Sequence, residues 1–183
     1  MVILAEHFRF FNSTEQDQRE YNASEFAEYF EAFIPDGVYF ADSLAVTNGT
    51  GLEVVLGTGC ANIRGYFYKN DAPITFTLDP ADSVLNRIDR IVIKLDIVAR
   101  TMKATLKKGT LGSSPTPPAL IDDASVKEIP IAQVKVNKGA TSGVIVDERV
   151  IIPSLKDIGV RTFTGKAENP TMRPGDIWMR ELD

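Results

Sequence analysis

The pattern of apolar and polar positions changes character once along this chain. In NASEFAEYFEAFIPDG, Phe26, Tyr29, Phe30 and Phe33 fall at i, i+3, i+4 and i+7, a single stripe on a helix. Asn22 with Glu25 three positions later suits a capped start, and Pro35-Asp36-Gly37 stops the element. The spacing predicts one short amphipathic helix at about 23–34. Its stripe is unusually aromatic, which fits packing on a sheet or on a neighbouring subunit. The loosely alternating HFRFFN at 7–12 fits a strand.

From residue 38 onward the helical period gives way to short alternating runs punctuated by Gly, Asn, Asp and Pro. SLAVT and LEVVL flank Asn48-Gly49-Thr50-Gly51, a hairpin signal because Asn and Gly tolerate the positive φ of tight turns. ANIRGYFYKN, PITFTL, RIDRIVIKLDIVARTMKATLKKGT, VKEIPIAQVKV and GVIVDERVII follow. Many short strands and one helix predict a mainly β fold. It would be an antiparallel β-sandwich or barrel-like domain with one short N-terminal amphipathic helix and a small C-terminal extension. Residues 1–152 would form the β-rich unit, and 153–183 a linker and a short β element carrying Ile177 and Trp178. The proline-rich stretch 111–124 cannot be a paired central strand and reads as a long surface connection.

Residues 87–110 put Arg87, Asp89, Arg90, Lys94, Asp96 and Arg100 among a dense run of Ile, Val and Leu. Parity sorts them. Asp89, Ile91, Ile93, Leu95 and Ile97 share one face of a strand, whereas Arg90, Val92, Lys94, Asp96 and Val98 share the other. A turn around Ala99-Arg100 returns the chain, so the charges belong to a hairpin with one buried face. Asp96 and Arg100 would close its tip by a charge-assisted bond.

Composition narrows the function classes. The net charge of −5 leaves no basic footprint for phosphates, so nucleic-acid binding is not expected. Cys60 is the sole cysteine and His7 the sole histidine, which gives neither a disulfide, a thiolate zinc site nor a Cys–His nucleophile. The start carries no basic leader and no run approaches membrane-spanning length, so a soluble product made in a cytoplasm is expected. GTGLEVVLGTG leads into another strand-like run rather than a helix, which rules out a dinucleotide loop. Asp79-Pro80-Ala81-Asp82-Ser83 lacks the spaced ligands of a calcium loop. No catalytic residue, metal or cofactor is expected; binding or assembly is.

The phrases ANIRGYFYKND, LNRIDRIVIKLDIVARTMKATLKKGTLGSSPTPPAL, KEIPIAQVKVNKGATSGVIVDER and NPTMRPGDIW resemble, in that order, a group of phage tail proteins. These are baseplate upper proteins, shoulder regions of receptor-binding proteins and related prophage structural proteins of Gram-positive hosts. The resemblance covers roughly residues 20–150 plus the tail. It implies a β-rich attachment domain in the virion, at the tail baseplate or tail tip, forming a homotrimer. Its partners would be other baseplate or distal tail proteins, and a receptor-binding protein or host cell-wall saccharide. Arg87, Asp89, Asp96, Arg100, Asp147 and Arg149 would be structural charges serving hairpin closure, register and subunit contacts. Phe26, Tyr29, Phe30, Phe33, Ile177 and Trp178 would form the subunit or partner interface. The chain stops at Asp183, where such proteins often continue into a neck and saccharide-binding head, so an adaptor role is expected. The alternative is a carbohydrate-binding receptor-recognition protein, with Tyr66, Tyr68 or Trp178 stacking on sugars.

Overall fold

The computed structural model describes residues 8–153 and the backbone of two short strands beyond them, Thr162–Thr164 and Ile177–Met179. Helix α1 spans Ala23–Glu31. Ten strands follow within the fully described region: β1 (Gly37–Val38), β2 (Val46–Asn48), β3 (Glu53–Leu56), β4 (Gly59–Ile63), β5 (Tyr66–Asn70), β6 (Ile74–Thr77), β7 (Arg87–Asp96), β8 (Thr101–Lys107), β9 (Val126–Val136) and β10 (Val144–Asp147). They form three antiparallel sheets, ordered β1-β4-β5, β2-β3-β6 and β10-β9-β7-β8. The architecture is a β-sandwich and not a closed barrel. One cluster of buried side chains unites the sheets, with Leu44, Val54, Leu56, Ala61 and Ile63 packed together with Ile91, Ile93, Ile129, Ile131 and Val134.

Two hairpins follow from turn chemistry. The Asn48–Gly51 signal joins β2 to β3, with Gly49 N–H donating to the Glu53 carbonyl at 2.8 Å and Gly51 at φ 64°. The phrase ANIRGYFYKN is two strands, not one run. Ile63 pairs with Tyr66 across a two-residue turn in which Arg64 and Gly65 take φ of 50° and 74°, the mirror-image turn that matches strand twist.

Parity holds along β7, where Ile91, Ile93 and Leu95 are buried on one face and Met102, Ala104 and Leu106 of β8 pack against the same core. In β9 it breaks. Ile91 pairs with Ala132 and Val92 with Pro130, so Ile131 is an extra residue opposite the strand. The core set shifts from Ile129 and Ile131 before this bulge to Val134 and Val136 after it. Pro130 is accommodated because it sits at the bulge.

The helix is shorter than expected, with its last turn loosened at Phe33 and Ile34, whose N–H groups both reach the Phe30 carbonyl. Its start is as read: Asn22 N–H donates to Glu25 Oε2 at 2.8 Å. Residues 7–12 are no strand where described. Residues 150–152 run beside β1, with Val38 N–H donating to the Val150 carbonyl and Ile152 N–H to the Val38 carbonyl, both at 2.8 Å. β11 (Thr162–Thr164) and β12 (Ile177–Met179) pair in parallel, with Phe163 opposite Trp178. Most of the expected linker and short β element at 153–183 otherwise lies outside the described residues.

Candidate interaction surface

The charges of the β7–β8 hairpin separate into three arrangements. Arg87 and Asp89, two apart on β7, turn inward, their side chains 3% and 2% exposed. Arg87 Nε donates to both Asp89 oxygens at 2.9 and 3.0 Å, Nη2 to the Asp79 carbonyl at 2.7 Å and Nη1 to the Pro80 carbonyl at 3.3 Å. Asp89 Oδ1 also accepts the Gly109 N–H at 2.8 Å. This pair ties both flanking loops to β7.

On the outer face Arg90 forks onto both Glu148 oxygens at 2.9 Å and reaches the Pro118 carbonyl at 2.6 Å. Lys107 bridges Glu128 at 2.5 Å and the Ala119 carbonyl at 2.7 Å, while Glu128 accepts the Ile121 N–H at 2.9 Å. These side chains bind the proline-rich stretch down over the sheet. Sequence reading missed Lys107, Glu128 and Glu148. The available signal was a proline-rich run, poor in N–H donors and rich in carbonyls, beside a face that alternates Lys and Arg with apolar residues.

At the tip, the expected Asp96–Arg100 bond is not formed. Asp96 Oδ1 accepts the Ala99 N–H at 2.8 Å and the other oxygen lies 3.6 Å from Lys94. Arg100 takes a left-handed φ of 52° and is exposed, with no ion-pair partner among the described residues. A carboxylate accepting a backbone N–H one turn ahead closes a turn without a partner cation.

Asp147 and Arg149 mirror the inner pair on β10 and just beyond it. Arg149 Nε and Nη2 hold Asp147 at 2.7–3.1 Å, and Nη1 donates to the Ala41 and Ser43 carbonyls at 2.9 and 2.6 Å. Beside that guanidinium the Asp147 carboxyl sits below its ordinary value of 3.8. A carboxyl lowered in the folded state contributes stability above its unfolded value, and that contribution is lost as pH falls through the folded one. The stability gap between wild type and Arg149→Met is therefore expected to hold steady above pH 3.8 and to shrink below it, read from urea midpoints.

None of these arrangements gathers a reacting set. Asp82 caps a turn, accepting the Val84 and Leu85 N–H groups, and Asp79 pairs with Lys108. Among the described residues no three His, Cys, Asp or Glu side chains converge to hold a metal. Among the described residues no helix is long and apolar enough to cross a membrane.

The aromatic stripe is different. Phe26, Tyr29, Phe30 and Phe33 are all exposed, and the helix touches the body through Ala27, its one buried residue. They are not packed on the sheet. Phe10 folds back onto them, its ring 5.2 Å from Phe26 and 5.1 Å from Tyr29, and Tyr29 stacks edge-on with Phe33 at 5.0 Å. Phe8 and Phe11 extend the exposed patch. Among the described residues no phenylalanine is fully buried; Phe76 alone packs, partly buried, against the core, which is built from Val, Ile, Leu, Ala and Tyr68. Aromatic side chains gathered on the outside mark contact surfaces, where their large rigid area is recovered on association.

Charge follows the same segment. Residues 8–36 hold seven acidic and two basic side chains, a net −5 equal to that of the whole chain, so the remainder is balanced. Arg9 spans Glu25 at 3.0 Å and Glu28 at 2.8 Å, leaving one excess carboxylate in that triad.

A cleft of about 730 Å³ separates the helix start (Asn22, Ala23, Ser24) from the hairpin tip (Asp96, Ile97, Arg100), with Tyr66 and exposed Phe67 on its wall. Tyr68 is buried and offers no ring face; burial pushes its phenol above the usual range. Ile177 and Trp178 lie in β12, with their side chains outside the described residues. Neither a family model nor a curated protein matches this chain.

Proposed function

We propose that the chain is a virion structural protein of a phage tail baseplate or tail tip, an oligomeric attachment module that links the baseplate core to the host-recognition device. The observation that carries the assembly half is the concentration of six of the eight exposed phenylalanines, and of the net negative charge, in residues 8–36, outside a core to which none of them belongs. The tail assignment rests on the resemblance of the hairpin and strand phrases. The ionic ties from Arg87, Arg90, Lys107 and Arg149 to neighbouring loops suit a scaffold that transmits position rather than one that opens and closes. Partners are further copies of the chain and other tail proteins.

Two measurements test this. Light scattering at micromolar concentration is expected to give a multiple of the 20.1 kDa chain, with three copies the expected number. Antibodies against the chain should label the tail tip of particles released by cells that carry the gene. Label confined to the capsid, or absent from particles altogether, removes the tail assignment.

A second reading is favoured by the cleft, whose Tyr66 and Phe67 wall is an aromatic surface beside Asp96 and Arg100. A saccharide would stack there. Binding on a glycan array that Phe67→Ala abolishes would make recognition the primary role.

A further inference from the structure

This inference rests on the oligomeric reading and names the surfaces that meet. We propose that copies of the chain join head to tail, the β7–β8 tip of one seating on the aromatic helix face of the next.

The tip has the chemistry of a plug. Val98, 79% exposed, is the most exposed large apolar side chain among the described residues, and Ile97 beside it is also exposed. Around them stand Lys94, Arg100 and Lys103, against two carboxylates, Asp96 and the Asp123 that caps the turn at Ser125 and Val126, whose Ser125 carbonyl accepts the Ile97 N–H. Lys94 and Lys103 are cross-strand partners two positions below the turn, which places both cations on one face of the hairpin. An apolar knob in a cationic rim complements an aromatic face in an acidic one.

Neither surface complements itself. Two copies of residues 8–36 brought face to face would set net −5 against net −5, and two tips would oppose cation to cation. Like charges brought together in an interface disfavour that pairing, whereas opposite fields steer it. The favoured contact is between unlike patches, which is heterologous; repeated about an axis, it closes into a ring. The start of the helix that carries the aromatic face and the base of the tip border the same cleft, with Asn22, Ala23 and Ser24 on one side and Leu95, Asp96, Ile97, Arg100, Thr101 and Met102 on the other. Within one copy, the helix that carries the socket therefore starts across this cleft from the plug.

Two surface variants test it, with folding checked by circular dichroism. Val98→Asp at the tip and Phe30→Asp on the helix face are each expected to reduce the assembly to the 20.1 kDa of one chain by light scattering. Mixing them is the decisive arm. Each variant keeps one intact patch, so a tip-dead and a face-dead chain can form one good junction and should appear as a one-to-one heterodimer. A wild type that assembles while Val98→Asp assembles equally well overturns the head-to-tail contact and leaves the oligomeric reading standing. A mixture that stays monomeric also overturns it. A wild type that is monomeric removes both.

Discussion

Asp89→Ala is expected to cost about 3–5 kcal/mol of folding stability, the usual penalty for stranding one member of a buried ion pair. The substitution leaves the Arg87 guanidinium, 3% exposed, with two carbonyls and no carboxylate. It also removes the acceptor of the Gly109 N–H. Asp89→Asn keeps an oxygen for Gly109 but loses the charge, and should fall between Ala and wild type. The double variant Arg87→Met, Asp89→Leu separates charge burial from loop anchoring. Removing both charges relieves the desolvation, yet the Asp79 and Pro80 carbonyls and the Gly109 N–H lose their partners, each worth about 1–3 kcal/mol when left unsatisfied. The double variant is therefore expected to recover only part of the loss. Urea midpoints at neutral pH with an unchanged slope decide the matter. A loss under about 1 kcal/mol for Asp89→Ala, the size typical of exposed pairs, would mean that the pair is not sealed from solvent.

The strand signals were legible because alternation reports directly on burial. Ile91, Ile93 and Leu95 read as a core face and are one, and the Asn-Gly turn made the expected hairpin. Parity also placed Asp89 beside Ile91, and Arg87 two residues earlier shares that face; a base and an acid two apart on a core-facing strand satisfy each other. Reading these charges as decoration of a wall and tip missed that the inner two are buried. The β9 bulge was illegible, since an extra residue shows only when the partner strand is in place, and Pro130 gave no count of what it opposed. The Arg64-Gly65 turn hid inside an alternating run because Arg at φ 50° carries no compositional mark. The aromatic stripe was readable as a stripe. What covers it was not, since a helix period fixes which residues share a face and leaves open whether that face meets its own sheet or another chain. The segment's charge excess was countable from sequence, but acquired meaning only once the same residues stood outside the core.

Gly65→Ala is expected to abolish assembly while leaving most of the sandwich's stability intact. A Cβ added at Gly65 would lie 1.8 Å from the Ala27 carbonyl oxygen of α1 and 2.6 Å from its carbon. These are backbone atoms, so no side-chain rotation relieves the overlap and the helix itself must move. The left-handed φ of 74° adds about 1–2 kcal/mol for any residue with a Cβ. Beyond the helix the chain is held, because Asn62 Nδ2 donates to the Ile34 and Pro35 carbonyls at 3.0 and 3.2 Å and Arg64 N–H to Asp36 at 2.6 Å. The displaced helix would pivot on that anchor, carrying Phe26, Tyr29, Phe30 and Phe33 out of position together. Gly51→Ala is the matched control: its φ is 64°, but the nearest atom to an added Cβ is 3.9 Å away. Both variants should lose similar stability from the turn, and only Gly65→Ala should lose oligomer mass by light scattering and slow-exchanging amides in residues 23–31. An assembly that survives Gly65→Ala unchanged would show that the seat of the helix on the β4–β5 turn does not set the aromatic face, and that subunits meet elsewhere.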